Sequence, residues 1–119
     1  METIDLRMEA RFPMTPNLKE RFSLKLRLDD NRTIPLELLD VSLHGMRFRT
    51  DLNLAERSVE EFFFIYRDKN KNTQEFKILS RICWIEEEWG KDDFNIGTSI
   101  VEVSDQIWMK LILDALDNM

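Results

Sequence analysis

Apolar and polar residues alternate along much of the chain between residues 22 and 103, which is the pattern of β-strands that are buried on one face. The clearest run starts at Phe22, where every second residue up to Leu28 is apolar and the residues between them are polar. The alternation and the intervening turn residues predict six strands, which cover residues 22–28, 34–41, 46–49, 62–66, 76–85 and 94–103.

The end of the chain changes to a helical period. Ser104 is a suitable N-cap, and Asp105 is favourable in the first turn. The apolar residues that follow form one stripe at helical spacing: Ile107, Trp108, Leu111, Ile112, Ala115 and Leu116. This stripe predicts an amphipathic helix over residues 105–117. The expected fold is therefore all-β with one C-terminal helix, namely a small six-stranded antiparallel β-barrel whose opening the helix covers.

The start of the chain has no sustained period of either kind. Pro13 and Pro16 disfavour a helix there, because proline lacks the amide donor and fixes its φ angle. We therefore expect a flexible arm over residues 1–20 and a barrel domain over residues 21–119.

Length and composition limit the class of protein. A chain of 119 residues suffices for one domain with a modest core, and 43% hydrophobic residues argue against disorder. The longest apolar runs are far too short to cross a membrane, so no membrane insertion is expected. Cys83 is the single cysteine, and the first residues lack the basic start and apolar stretch of a signal peptide. Both features predict a cytoplasmic protein.

The charge is distributed unevenly. A net charge of −6 argues against binding to a nucleic-acid polymer, which requires a broad basic surface. However, seven of the ten arginines fall within the first fifty residues. A locally basic region on an acidic protein suits a small anion better than a polymer.

Two groups of polar residues stand out. Arg7 and Arg11 lie four apart on the arm, and Asp40, Ser42 and Gly45 form a D-x-S-x-x-G segment at the end of a predicted strand. One interpretation is structural: the arginines are solvated, Asp40 and Ser42 bond the nearby backbone, and Gly45 supplies a positive φ in a turn. The other interpretation is a site for a small ligand.

The order of these elements resembles the PilZ domain family over nearly the whole chain. In that family an arginine pair four apart precedes a D/N-x-S-x-x-G segment at a strand end, as Arg7, Arg11 and Asp40-Val-Ser42-Leu-His-Gly45 do here. The segment Ser80-Arg-Ile-Cys-Trp84 is similar to the family's penultimate strand, and the segment around Gly97 is similar to its last. The spacer between Arg11 and the first strand is longer than is usual in the family.

The resemblance implies binding of cyclic di-GMP, a bacterial second messenger. Arg7 and Arg11 are expected to grip the guanine edge, the phosphates or both, since a guanidinium presents paired donors in one plane. Asp40 can accept from the guanine N1–H and the exocyclic amine, and Ser42 offers a hydroxyl beside it. Gly45 is expected to let the backbone turn and the ligand approach.

Other residues near the motif are weaker candidates. His44 is expected at the rim of the site, and without a second histidine or a cysteine pair it predicts no metal site. Arg47 and Arg49 either add to the phosphate field or are solvated. Trp84 could stack on a base, but its position in an apolar strand favours packing in the core. No nucleophile has a suitable base nearby, so neither catalysis nor a cofactor is predicted.

The sequence therefore predicts a receptor whose arm folds over the barrel when cyclic di-GMP binds. This ordering would change the surface offered to an unidentified downstream protein and so regulate motility, exopolysaccharide or pili. The alternative is an adaptor of the same fold that binds a protein and no nucleotide.

Overall fold

The computed structural model of the protein describes residues 11–68, 70–87, 90 and 92–117. Its elements, in chain order, are β1 (Arg11–Pro13), α1 (Pro16–Lys19), β2 (Phe22–Arg27), β3 (Thr33–Ser42), β4 (Gly45–Thr50), β5 (Val59–Arg67), β6 (Thr73–Glu87), β7 (Phe94–Glu102) and α2 (Asp105–Asp117). None of the described helices is long and apolar enough to cross a membrane.

Strands β2 to β7 form a closed antiparallel barrel. The hydrogen-bonded order is β3-β2-β5-β6-β7-β4, and β4 pairs back with β3 to close the ring. The six strands therefore confirm the predicted barrel, although most of them extend a few residues beyond their predicted bounds. Closure pairs both edges of every strand in the ring, which makes a rigid surface for side chains on the outer face.

The second half of the predicted arm is structured. Residues 11–13 form β1, which extends the sheet beyond β2 along the same edge of β3. Pro16 then begins the four-residue helix α1, with Thr15 as its N-cap. Proline is tolerated here because the first amides of a helix have no intrahelical partner. The expectation that the prolines disfavour a helix in the arm is thus wrong for residues 16–19, and residues 1–10 lie outside the described residues.

Helix α2 packs on the core through a buried stripe and has the bounds that the sequence predicts. The Trp108 ring meets the Phe64 ring edge-on, with 5.5 Å between the ring centroids. Its indole Nε1 donates to the carbonyl oxygen of Leu43 at 2.9 Å, which ties the helix to the turn between β3 and β4. Farther along the helix, Asp114 pairs with Arg21 at 2.6 Å.

Two of the register shifts between strands are bulges that change which residues near the candidate site face outward. One lies between Leu38 and Asp40 on β3, and the other lies between Ile82 and Trp84 on β6. A bulge inserts one extra residue into a strand, so every side chain after it moves to the opposite face from the one that simple alternation predicts. Both bulges lie beside the candidate site.

Candidate functional site

Four residues lie in one row on the outer face of the barrel, each on a different neighbouring strand. Asp40 of β3 pairs with Arg47 of β4, which in turn pairs with Gly97 of β7. Gly97 pairs with Trp84 of β6. The residue before Arg47, Met46, is completely buried in the core, so alternation directs this row outward.

Asp40 is the centre of the polar part of this row. The bulge before it allows Leu38 and Val41 both to point into the core while Asp40 points out. Nevertheless only 2% of the Asp40 side chain is exposed, because two guanidinium groups cover it. Arg11 Nη1 donates to Asp40 Oδ1 at 3.0 Å, and Arg47 Nε donates to Asp40 Oδ2.

The two arginines differ in how firmly they are attached. Arg47 belongs to β4, which is hydrogen-bonded on both edges within the closed barrel. Arg11 begins β1, a three-residue strand outside the ring, and lies opposite Ser42. The next residue, Phe12, is buried in the core and anchors that strand. Side chains of Arg11 and Arg47 are 47% and 41% exposed, so both can reach a ligand in solvent.

Of the two predicted arm arginines, Arg11 lies within the described residues. Arg11 pairs with Asp40 of the motif, and its contact with a ligand stays a prediction. Arg7 lies outside the described residues, so its place relative to Asp40 stays a prediction.

Ser42 and Gly45 build the turn between β3 and β4. Ser42 Oγ donates to the Gly45 carbonyl oxygen at 3.3 Å, and both residues are buried. The positive φ that the structural interpretation expects at Gly45 is not observed, since the glycine with a positive φ among the described residues is Gly90. A Cβ at Gly45 would lie 2.1 Å from the carbonyl oxygen of Thr98. Gly45 is therefore required because β7 passes too close for any side chain.

His44 is exposed at the tip of this turn, beside the motif, and its carbonyl oxygen accepts from Ile100 N at 2.8 Å. Within the described residues, no three histidine, cysteine or acidic side chains are grouped closely enough to hold a metal ion.

Trp84 is not part of the core, contrary to the favoured prediction. Strict alternation from Ile82 would direct Trp84 inward, but the bulge between them turns it outward and brings Ile85 against the core instead. The indole lies across Gly97, where a Cβ would be 2.2 Å from its Nε1 atom. Gly97 lies outside the motifs that indicate the site in the sequence, although a glycine inside a strand often marks a close approach of this kind.

A second outward row lies one step away and adds charge of both signs. Arg49 pairs across the strands with Glu37 on one side and Asn95 on the other. Its guanidinium donates to Glu37 Oε2 at 3.3 Å and to Asn95 Oδ1 at 3.2 Å. This part of the outer face therefore carries Arg11, Arg47 and Arg49 beside the partly exposed Trp84 indole. This combination can hold an anion that also carries a flat aromatic group.

Solved structures with the same fold include proteins in complex with c-di-GMP. YcgR from Escherichia coli in complex with c-di-GMP superposes with a TM-score of 0.63 at 20% identity, over 91% of this chain and 44% of that one. The isolated PilZ domain of YcgR with c-di-GMP gives 0.63 at 18% identity, over 92% and 88%. The MrkH–c-di-GMP complex from K. pneumonia gives 0.66 at 16% identity, over 90% and 49%.

The chain thus spans less than half of YcgR and about half of MrkH, but most of the isolated YcgR domain. At these identities the likeness establishes the fold. None of the curated proteins compared with the chain matches it in sequence. The sequence model of the PilZ domain matches residues 5–116, which is almost the whole chain. The chain therefore belongs to the PilZ domain family.

Proposed function

We propose that this PilZ domain is a receptor for cyclic di-GMP and that it binds the nucleotide on the outer face around Asp40. The observation that carries the proposal is the arrangement of Arg11 and Arg47 on the two oxygens of one Asp40 carboxylate, beside the Trp84 indole. The family membership and the c-di-GMP complexes of YcgR and MrkH support the choice of ligand.

In this proposal Arg11 and Arg7 clamp the ligand from the arm side. A guanidinium matches the O6/N7 edge of guanine or two phosphate oxygens, which a lysine ammonium cannot do with a fixed geometry. Both Asp40 oxygens already accept from arginines. A guanine that donates its N1–H and amine to Asp40 must therefore displace one of these arginines from the carboxylate. Arg11 is the one displaced in this proposal, because it is held by the shorter strand.

Arg47 keeps its bond to Asp40 in this scheme and adds positive charge near the phosphates. Trp84 provides a flat surface for one guanine, since its ring is partly exposed and lies along the sheet over Gly97. Ser42 and Gly45 form the floor of the site, and His44 lies at its rim.

The energies are compatible with useful affinity. A hydrogen bond to a charged group contributes roughly 1.5–3 kcal/mol, and a micromolar dissociation constant corresponds to about 8 kcal/mol. Four or five such contacts, less the cost of ordering the arm, therefore reach the micromolar range. Without the arginines, the remaining contacts fall well short of it.

Binding is proposed to order the arm against the barrel and change the surface that a downstream protein meets, with no catalysis. The expected outputs are motility, exopolysaccharide or pilus control in the bacterial cytoplasm. The adaptor alternative would be favoured by a damaged arginine pair or motif, and both are intact in this sequence.

Isothermal titration of the purified protein with cyclic di-GMP tests the proposal. We expect saturable binding that Arg7→Ala, Arg11→Ala or Asp40→Ala each weakens roughly ten- to a hundredfold. Arg32→Ala is the matched control, because Arg32 is exposed and pairs with Asp30 in the turn after β2. No saturable binding by the unmodified protein would favour the adaptor, while binding that survives both arm substitutions would show that the arm residues are assigned incorrectly.

A further inference from the structure

Helix α2 has an outer face on which two large apolar side chains lie beside one basic and one acidic residue. Met109 and Leu113 are 46% and 54% exposed, and they account for two of the four large exposed hydrophobics among the described residues. Gln106, Met109, Lys110 and Leu113 line a shallow groove of about 530 Å³. No step of the proposed ligand binding uses this face.

The exposed residues are arranged for helix–helix contact. At about 100° per residue, the five positions 106, 109, 110, 113 and 117 fall within an arc of about 100°. That arc lies opposite the buried stripe of Trp108, Leu111 and Ala115. The spacing of Gln106, Met109 and Leu113, three and then four residues, is the spacing of a coiled-coil seam.

The charges on this face are arranged so that two copies of the helix can pair opposite charges. Lys110 and Asp117 are both exposed and lie two helical turns apart, about 10.5 Å along the axis, with Leu113 between them. When a second copy of the helix lies antiparallel with a twofold axis beside Leu113, Lys110 of each copy comes opposite Asp117 of the other. A twofold interface requires such a self-complementary patch.

We propose that the chain forms an antiparallel homodimer through the outer face of α2, with Leu113 at the axis and Lys110 and Asp117 paired across it. One short helix offers less surface than a standard stable interface of about 800 Å² per partner. The dimer is therefore weak and depends on protein concentration. It does not depend on cyclic di-GMP.

Sedimentation equilibrium from about 10 µM to about 1 mM tests the dimer, since that range brackets weak association. A reducing agent is needed because Cys83 is an exposed free thiol. We expect a monomer–dimer equilibrium that Leu113→Glu abolishes and that Lys110→Glu or Asp117→Lys each weakens at least tenfold. The double exchange, Lys110→Glu with Asp117→Lys, should restore association because the two charges are simply interchanged.

The matched control is Lys77→Glu, which reverses an exposed charge on β6, and far-UV circular dichroism verifies that each variant is folded. A monomer at the highest concentration overturns the proposal. Single reversals without effect, or a double exchange that fails to restore the dimer, overturn the antiparallel arrangement. Because the variants lie outside the Asp40 site, titration with cyclic di-GMP is unaffected by either result.

Discussion

Arg11 Nη1 lies 3.0 Å from Asp40 Oδ1, although the two residues are 29 positions apart in the sequence. The contact links the start of the first strand to the bulge on β3. It joins the two parts of the proposed ligand site, the arm and the motif. The other oxygen of the Asp40 carboxylate accepts a hydrogen bond from Arg47.

Asp40→Ala should lower the free energy of unfolding by about 1–2 kcal/mol. The carboxylate is buried, but both guanidiniums are partly exposed and can be solvated again once it is removed, which limits the loss. Urea denaturation measures the change. Asp30→Ala serves as the comparison, because Asp30 pairs with Arg32 on the exposed surface and its removal should lower the urea midpoint less than Asp40→Ala does.

Gly45→Ala should destabilise the barrel by about 3 kcal/mol, because the new Cβ would meet the backbone oxygen of Thr98 at 2.1 Å. Strands β4 and β7 must separate locally to admit it. Thermal unfolding provides the measurement. An unchanged melting temperature would contradict this close approach of β4 and β7.

Gly97→Ala should lower the free energy of unfolding by less, about 1 kcal/mol. The group that the new Cβ would meet is the Trp84 indole, which can rotate away. The Trp84 indole N–H resonance should shift, and binding of cyclic di-GMP should weaken with it. Gly90→Ala is the control: it strains a backbone with φ of 75° in open space and should leave the Trp84 resonance in place.

Stability should fall as the pH rises from about 10 to about 12. Burial, followed by hydrogen bonding to the Asp114 carboxylate, raises the pKa of Tyr66 from 10.0 to about 12. The unfolded chain therefore loses this proton first, so the contribution is complete below pH 10 and is lost as the pH passes through the folded value. Tyr66 is the single tyrosine, so absorbance at about 295 nm follows it alone, and Tyr66→Phe should remove the effect.

Ser80→Ala should raise the free energy of unfolding by about 1 kcal/mol. Ser80 is completely buried, and its hydroxyl has no hydrogen-bond partner among the described residues. Its desolvation is therefore uncompensated. Ser42→Ala is the matched comparison and should have the opposite sign. The buried Ser42 hydroxyl donates to the Gly45 carbonyl, so its removal should lower the free energy of unfolding by about 1 kcal/mol. Guanidinium denaturation of both variants decides the signs.

Periodicity was sufficient to predict the barrel strands and helix α2. In a half-buried strand, residues two positions apart lie on the same face, so apolar residues at that spacing identify the buried face. In a helix, apolar residues three and four positions apart do the same. It was insufficient for β1 and α1, since a three-residue strand and a single helical turn are too short for a period to show. Those short elements form because Phe12 and Leu18 are buried against the barrel, which is a tertiary effect.

The sequence by itself therefore determined the strand order along the chain, the closing helix and the polar motif at the end of β3. Only the tertiary structure decided which side chains meet. The bulge before Trp84 moved it from an expected core position to the outer face, and the bulge before Asp40 aimed the carboxylate at Arg11 and Arg47. The physical reason is that one extra residue in a strand moves every following side chain to the opposite face of the sheet. Whether a strand contains such a residue depends on its pairing with a strand that is distant in the sequence.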